Sequence, residues 1–108
     1  MDSLVNTAWL ADHLDDPDLV VLDCSVVTVM EEDGGFHNES GREQYEQGHI
    51  PGAGFADLKG ELSDTGSTIE FAVPTPESFC ESMSRLGVGD DSRVVLYDSS
   101  LSAWAARV

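Results

Sequence analysis

The sequence predicts an α/β domain with a parallel sheet, and two observations support this. Residues 19–22 and 93–97 are short, mainly apolar runs, which are typical of parallel strands that helices cover on both faces. Segments with helical spacing alternate with these runs, as in a sheet whose parallel strands are joined by helices. A chain of 108 residues fits one small domain. With 41% hydrophobic residues it can form a modest core.

A short helix is expected ahead of the first strand. Asn6 is a suitable N-cap, and the side chains of Trp9, Leu10 and Leu14 recur on one face at helical spacing. The helix ends before Pro17, because the residue ahead of a proline avoids helical torsion angles.

The middle of the chain contains a predicted loop, a helix and a turn. Residues 28–40 are polar, acidic and contain glycine, so they predict a surface loop. A second short helix is expected over residues 42–47, where Gly48 would end it in a left-handed conformation. In the turn at residues 49–53, a proline fixes one backbone torsion and Gly52 allows a positive φ.

Residues 54–57 predict a short strand and residues 59–74 a loop. Thr75 then begins a helix as its N-cap, with proline in the first turn and Glu77 at the positive end. Gly87 ends this helix. The residues expected on its buried stripe are Phe79, Met83 and Leu86.

The last residues of the chain predict a helix that is cut short. A polar turn is expected at residues 99–102, and residues 103–108 are typical of the first turn of a helix. No glycine, proline or other C-cap ends that helix, so the chain is expected to stop inside it.

The charge balance excludes several classes of partner. There are 21 acidic and 5 basic residues, for a net charge of −16, so neither nucleic acid nor an anionic membrane is expected as a partner. Apolar runs do not exceed four residues and the first residues do not resemble a secretory signal, which predicts a cytoplasmic domain. The acidity is typical of a protein from a high-salt cytoplasm. An acidic docking face for a cationic partner is the alternative.

No metal or cofactor site is predicted. Cys24 and Cys80 do not form a Cys-x-x-Cys pair, and no disulfide is expected in such a chain. His13, His37 and His49 do not lie at ligand spacing from one another or from the cysteines.

The carboxyl ends of the two main strands are the candidate site, because ligands of open α/β sheets bind at that edge. The first end is residues 23–25, Asp-Cys-Ser, and the second is residues 98–100, Asp-Ser-Ser. The second, a serine-rich loop before a helix, suits either an anion cradle or an ordinary capped turn. Asp98 would be a phospho-acceptor or base in the first case, and would accept hydrogen bonds from its own loop in the second.

Two other side chains have alternative interpretations. Cys24 is either a nucleophile or a small buried thiol, and the adjacent Asp23 disfavours the thiolate that a nucleophile needs. Cys80 is expected to have a structural role and not a catalytic one. His49 precedes a rigid turn and is either a general base or a side chain that stabilises the turn by hydrogen bonding.

The segment Gly-His-Ile-Pro-Gly-Ala at residues 48–53, preceded by Arg-Glu-Gln-Tyr at residues 42–45, resembles a signature of the rhodanese (thiosulfate sulfurtransferase) family. Other segments match in family order: residues 5–10, 20–25, 86–91, 94–98 and 105–108. The resemblance covers nearly the whole chain. It is closer to the N-terminal of the two domains in tandem thiosulfate and 3-mercaptopyruvate sulfurtransferases.

This resemblance implies a rhodanese-like three-layer domain over residues 1–108, with a mainly parallel central sheet flanked by helices and truncated at its C-terminal end. Asp98 would stand at the position of the family's catalytic cysteine, so the domain would be non-catalytic. A C-terminal rhodanese domain and a small anionic sulfur substrate would be its partners, and His49 would line the substrate pocket. Val26 departs from the family, which usually has an aromatic residue there.

Two alternatives remain open from the sequence. One is a stand-alone rhodanese-like binding or regulatory module without enzymatic activity. With either function, a homodimer in which a second copy covers the face that missing elements would occupy is also left open. The other is an acidic phospho-acceptor receiver domain, which needs a lysine near the site, whereas Lys59 lies in a predicted loop.

Overall fold

The computed structural model describes residues 3–99 and 103–108. The helices are α1 (Thr7–His13), α2 (Arg42–Gln47), α3 (Pro76–Arg85) and α4 (Ala103–Arg107). The strands are β1 (Leu19–Asp23), β2 (Val26–Met30), β3 (Phe36–Ser40), β4 (Gly54–Phe55) and β5 (Arg93–Tyr97).

The central sheet has β1 between β4 and β5, and both neighbours run parallel to it. Leu22 is aligned with Gly54 on one side and with Leu96 on the other. The prediction of a parallel α/β sheet is confirmed. The prediction of a fully buried last strand is wrong, because all five residues of β5 are only half-buried and no described strand pairs with its outer edge.

Residues 28–40 are not a loop. β2 and β3 form an antiparallel hairpin, with Val26 opposite Ser40 and Met30 opposite Phe36. The sequence pattern missed it because β3 is polar and mostly exposed, so it lacks the apolar alternation of a strand that covers a core. Backbone pairing and cross-strand contacts hold such a ribbon, and Gly34 supplies a positive φ of 90° between its strands.

The core lies on both faces of β1. On one face a cluster of fully or nearly fully buried residues meets the side chains of Met83 and Leu86 from the α3 region. Its members are Leu22, Cys24, Val26, Ala56, Leu58 and Leu62. On the other face Leu10 of α1 packs with Val21 and Ala53. Because α1 and α3 cover opposite faces, the predicted three-layer arrangement is present.

The caps predicted for two helices are observed. Asn6 Oδ1 accepts the N–H of Trp9 at 2.8 Å, and Thr75 Oγ1 accepts that of Ser78 at 3.2 Å. Gly52 and Gly87 have positive φ angles of 79° and 89°.

Two predictions about helix residues are wrong. Gly48 has a φ of 179°, which is extended backbone and not the left-handed stop expected for α2. Phe79 is 38% exposed, and Ser82 takes the buried position of α3 instead. Ser82 is tolerated there because its hydroxyl donates to the carbonyl of Glu61 at 3.2 Å.

None of the helices in the described ranges is long and apolar enough to cross a membrane.

Candidate functional site

The loops after β1 and β5 meet at one edge of the sheet, as the sequence predicts for the ends of adjacent parallel strands. The N–H of Cys24 donates to the carbonyl of Tyr97 at 2.7 Å. The N–H of Ser99 donates to Ser25 Oγ at 3.0 Å. The site therefore combines Asp23, Cys24 and Ser25 from one loop with Asp98 and Ser99 from the other.

The first loop is a closed turn. Asp23 Oδ1 accepts the N–H of Ser25 at 2.9 Å, and both residues are buried. Tyr97 lies alongside, where burial raises the pKa of its phenol and the Asp23 carboxylate adds to the shift. Its hydroxyl accepts the N–H of Ile50 at 3.1 Å. The phenol is therefore neutral at ordinary pH and fixes the turn at residues 49–53.

Asp98 is half-buried and hydrogen-bonded to the helix that follows its loop. Its Oδ2 accepts the N–H of Ala105, at the start of α4, at 2.9 Å. This bond favours the interpretation in which Asp98 accepts hydrogen bonds from nearby backbone amides, here one of α4. The polar turn predicted at residues 99–102 lies outside the described residues beyond Ser99.

Cys24 is completely buried, and its Sγ lies 3.7 Å from the carbonyl oxygen of Leu22. Burial raises the pKa of the thiol to about 12, and the charges of Asp23 and Asp98 add to the shift. Since a nucleophilic cysteine requires the thiolate, the raised pKa and the burial of Cys24 both disfavour that role near neutral pH. The geometry favours the buried-thiol interpretation.

Cys80, which the sequence assigns to structure, is exposed on α3 and contributes nothing to the core.

His49 is exposed and stacked on Tyr45, with ring centroids 3.9 Å apart and an interplanar angle of 15°. Its Nδ1 lies 2.8 Å from the carbonyl oxygen of Tyr45. Because a carbonyl only accepts, Nδ1 carries the proton. This is the turn-stabilising interpretation, and a role in substrate binding stays a prediction.

Sequence reasoning missed the two tyrosines that hold the turn at residues 49–53. The hydroxyl of Tyr45 donates to the carbonyl of Ala53 at 2.5 Å, and Tyr97 binds the other side of the turn. The first joins residues 8 positions apart across a turn and the second joins residues 47 positions apart, so no regular sequence spacing indicates either of them.

A cavity of about 540 Å³ lies along the outer edge of β5, with Asp98 among its lining residues. Leu10, Ile50 and Ala106 contribute apolar walls. Among the described residues that line it, none is a lysine or arginine.

Each basic side chain has a contact of its own, and that of Arg42 lies beside the carboxyl end of β1, because its partner Phe55 is aligned with Asp23. Lys59 pairs with Glu70, Arg85 with Glu61, and Arg93 with both Asp16 and Asp18. Arg107 donates to the backbone carbonyls of Leu62 and Phe71, and Arg42 lies over the Phe55 ring. Within the part of the chain that the structure describes, no group of three metal-ligating side chains is assembled.

The chain is similar to several sulfurtransferases. It is 38% identical over 94 residues to the 3-mercaptopyruvate sulfurtransferase of Escherichia coli K12, an alignment covering 87% of this chain and 31% of that protein. It is 34% identical over 100 residues to the thiosulfate sulfurtransferase of Rattus norvegicus, covering 89% of this chain and 31% of that protein. No protein-family model matches.

Among solved structures, a 3-mercaptopyruvate sulfotransferase from Escherichia coli, described as having the "Rhodanese" fold, superposes with a TM-score of 0.75 and 35% identity. The superposition covers 92% of this chain and 36% of that one. The chain thus spans about a third of the relatives that it matches.

Proposed function

We propose that the chain, a rhodanese-like domain by its likeness to sulfurtransferases, is the non-catalytic, N-terminal type of that domain. That likeness confirms the family resemblance seen in its sequence. In this proposal the domain supports sulfane sulfur transfer by a cysteine that lies in another domain. The proposal is carried by Asp98, which by the family resemblance would stand at the position of the nucleophile.

The chemistry of sulfur transfer supports a non-catalytic role. A persulfide forms when a thiolate attacks the sulfane sulfur of the donor and the donor's remaining group leaves. The carboxylate of Asp98 cannot form this intermediate, and it already accepts the N–H of Ala105. The thiol of Cys24 lies at the same edge, but it is fully buried with a pKa of about 12.

The proposed partner is a second rhodanese domain in the intact protein. The relatives are about three times as long as the alignment, which leaves room for such a domain in them. A small anionic sulfur donor would then bind between the two domains, with its cationic contacts supplied by the partner domain. His49 would line this pocket from the side of the present chain, with the Tyr45 stacking contact holding its ring.

The proposal also places this domain in a cytoplasm of high salt concentration. It is supported by the net charge of −16. Carboxylates at such density repel one another, and salt screens that repulsion.

The test is a thiosulfate:cyanide sulfurtransferase assay on this chain, with Cys24→Ala and Cys80→Ala variants and an active tandem sulfurtransferase as the positive control. We expect no turnover above the blank for all three forms of the chain. Mass spectrometry after thiosulfate treatment should show no gain of one sulfur atom on Cys24. Turnover by the unaltered chain that disappears in Cys24→Ala would show that this domain is itself catalytic.

A further inference from the structure

The β2–β3 hairpin, residues 26–40, extends from the domain as an arm that is fixed mainly at its base. Val26 is buried in the core, and Ser40 Oγ donates to Asp57 Oδ1 at 3.2 Å. One further tie lies along the arm, where Asn38 Nδ2 donates to Glu70 Oε1 at 2.8 Å. These contacts attach the arm to the domain and leave its far end exposed.

The far end of the arm presents two large apolar side chains to solvent. Met30 and Phe36 face each other in the last pair of the hairpin register and are 71% and 65% exposed. Neither side chain packs against the described core clusters. Adjacent exposed apolar residues of this size mark interaction surfaces, and methionine and aromatic residues are enriched there.

Carboxylates surround this apolar pair. Glu31, Glu32, Asp33 and Glu39 are all exposed on the arm. Both ring nitrogens of His37 lie near carboxylate oxygens, at 3.0 Å from Glu31 and 3.1 Å from Glu39. Since a carboxylate only accepts, two such contacts need an imidazolium. Four negative charges and one positive charge leave the rim anionic.

We propose that this hairpin arm is a docking element for a protein partner whose surface offers an apolar pocket bordered by lysine or arginine side chains. The apolar pair would fill the pocket, while the carboxylates attract its rim and orient the encounter. A second copy of this chain does not meet this requirement, because its net charge is also −16. An anionic lipid surface fails for the same reason.

The base of the arm adjoins the candidate site. Val26 directly follows Ser25, whose Oγ accepts the N–H of Ser99 beside Asp98. This inference does not depend on the proposed sulfurtransferase role.

The test uses two labelled peptides as probes, one alternating lysine with leucine and one alternating lysine with serine. Fluorescence anisotropy at ~0.15 M KCl, where the Debye length is about 8 Å, measures binding to the chain. We expect tighter binding of the lysine–leucine peptide, weakened at least about tenfold in Met30→Ser/Phe36→Ser, which corresponds to about 1.4 kcal/mol. Amide chemical-shift changes on binding should be concentrated in residues 28–39.

The matched control is Ile69→Ser/Val73→Ser, which removes two other exposed apolar side chains of 70% and 75% exposure without changing the charge. This variant should bind as the unaltered chain does, and circular dichroism should show all three forms folded. Equal binding of both peptides, or equal weakening by both double variants, would mean that only general charge attraction operates and would overturn the proposal. Shift changes centred away from the arm would do the same.

Discussion

Gly41 lies against the backbone of Ser25 so closely that a Cβ on Gly41 would overlap the Ser25 carbonyl oxygen. This contact joins the start of α2 to the loop after β1, where the hairpin arm leaves the domain.

Replacing Gly41 with alanine should therefore destabilise the domain by about 2 kcal/mol, because a well-packed site accepts an added methyl group only by shifting backbone. Urea denaturation measures the change. Gly48→Ala is the control, since Gly48 has extended backbone and open space around its Cβ position. Equal stability of the two variants would contradict the close packing at Gly41.

The two cysteines should differ in reactivity. In the folded chain at neutral pH, Ellman's reagent should modify Cys80, which is exposed, and leave Cys24 unmodified because it is buried and its pKa is raised to about 12. In guanidinium chloride both should react. Cys80→Ala should leave the folded chain unreactive, and rapid modification of that variant would disprove the burial of Cys24.

Removal of the Cys24 sulfur should lower stability modestly. Cys24→Ala deletes one buried heavy atom and leaves a small cavity, so a loss of about 1 kcal/mol is expected in urea. Cys80→Ala, at an exposed site, should change stability by less than about 0.5 kcal/mol. A larger loss of stability in Cys80→Ala than in Cys24→Ala would contradict the placement of Cys24 in the core.

His37 should titrate above its ordinary range. Its pKa is raised first by the hydrogen bond with Glu39 and then by that with Glu31. Because the folded pKa exceeds the unfolded value of about 6.5, the resulting stability is fully present below that value and disappears as the pH rises through the folded pKa. NMR titration of the ring protons measures the shift. Glu39→Gln should lower the pKa of His37. An unchanged titration would rule out the hydrogen bond between His37 and Glu39.

Thermal stability should rise with KCl concentration. Each added increment of salt screens the repulsion among the carboxylates, so the melting temperature should increase steadily from low to molar KCl. Melting in sucrose at matched osmolality controls for general solute effects. A melting temperature that is equal or higher at low salt would remove the high-salt hypothesis.

Local signals explain which parts of the fold were predictable. The caps at Asn6 and Thr75 and the positive φ at Gly52 depend on residues close in sequence, and all three are observed. The apolar runs of β1 and β5 indicated a parallel sheet because burial on both faces removes polar alternation. The hairpin arm was missed since its strands are stabilised by pairing with each other and not by a buried face.

The sequence predicted the location of the candidate site, at the carboxyl ends of β1 and β5. It did not predict the contacts that form the site. The ends of β1 and β5 converge because the strands are adjacent and parallel, which the pattern implies. The bond between Ser25 and Ser99 spans 74 positions, and that between Ile50 and Tyr97 spans 47. Contacts at such separations depend on the assembled sheet, so no spacing in the sequence indicates them.

The half-buried strand β5 has a consequence for proton exchange with solvent. Arg93 donates its N–H to Asp18, and Tyr97 accepts the N–H of Cys24, so the odd-numbered residues of β5 face β1. The backbone N–H groups of Val94 and Leu96 point to the outer edge, along the cavity. Deuterium should therefore enter β5 with a period of two residues, quickly at Val94 and Leu96 and slowly at Val95 between them. One strand thus has a protected row and an accessible row of backbone amides. A peptide or strand that paired with the outer edge of β5 would protect the accessible row and abolish the difference in exchange rate.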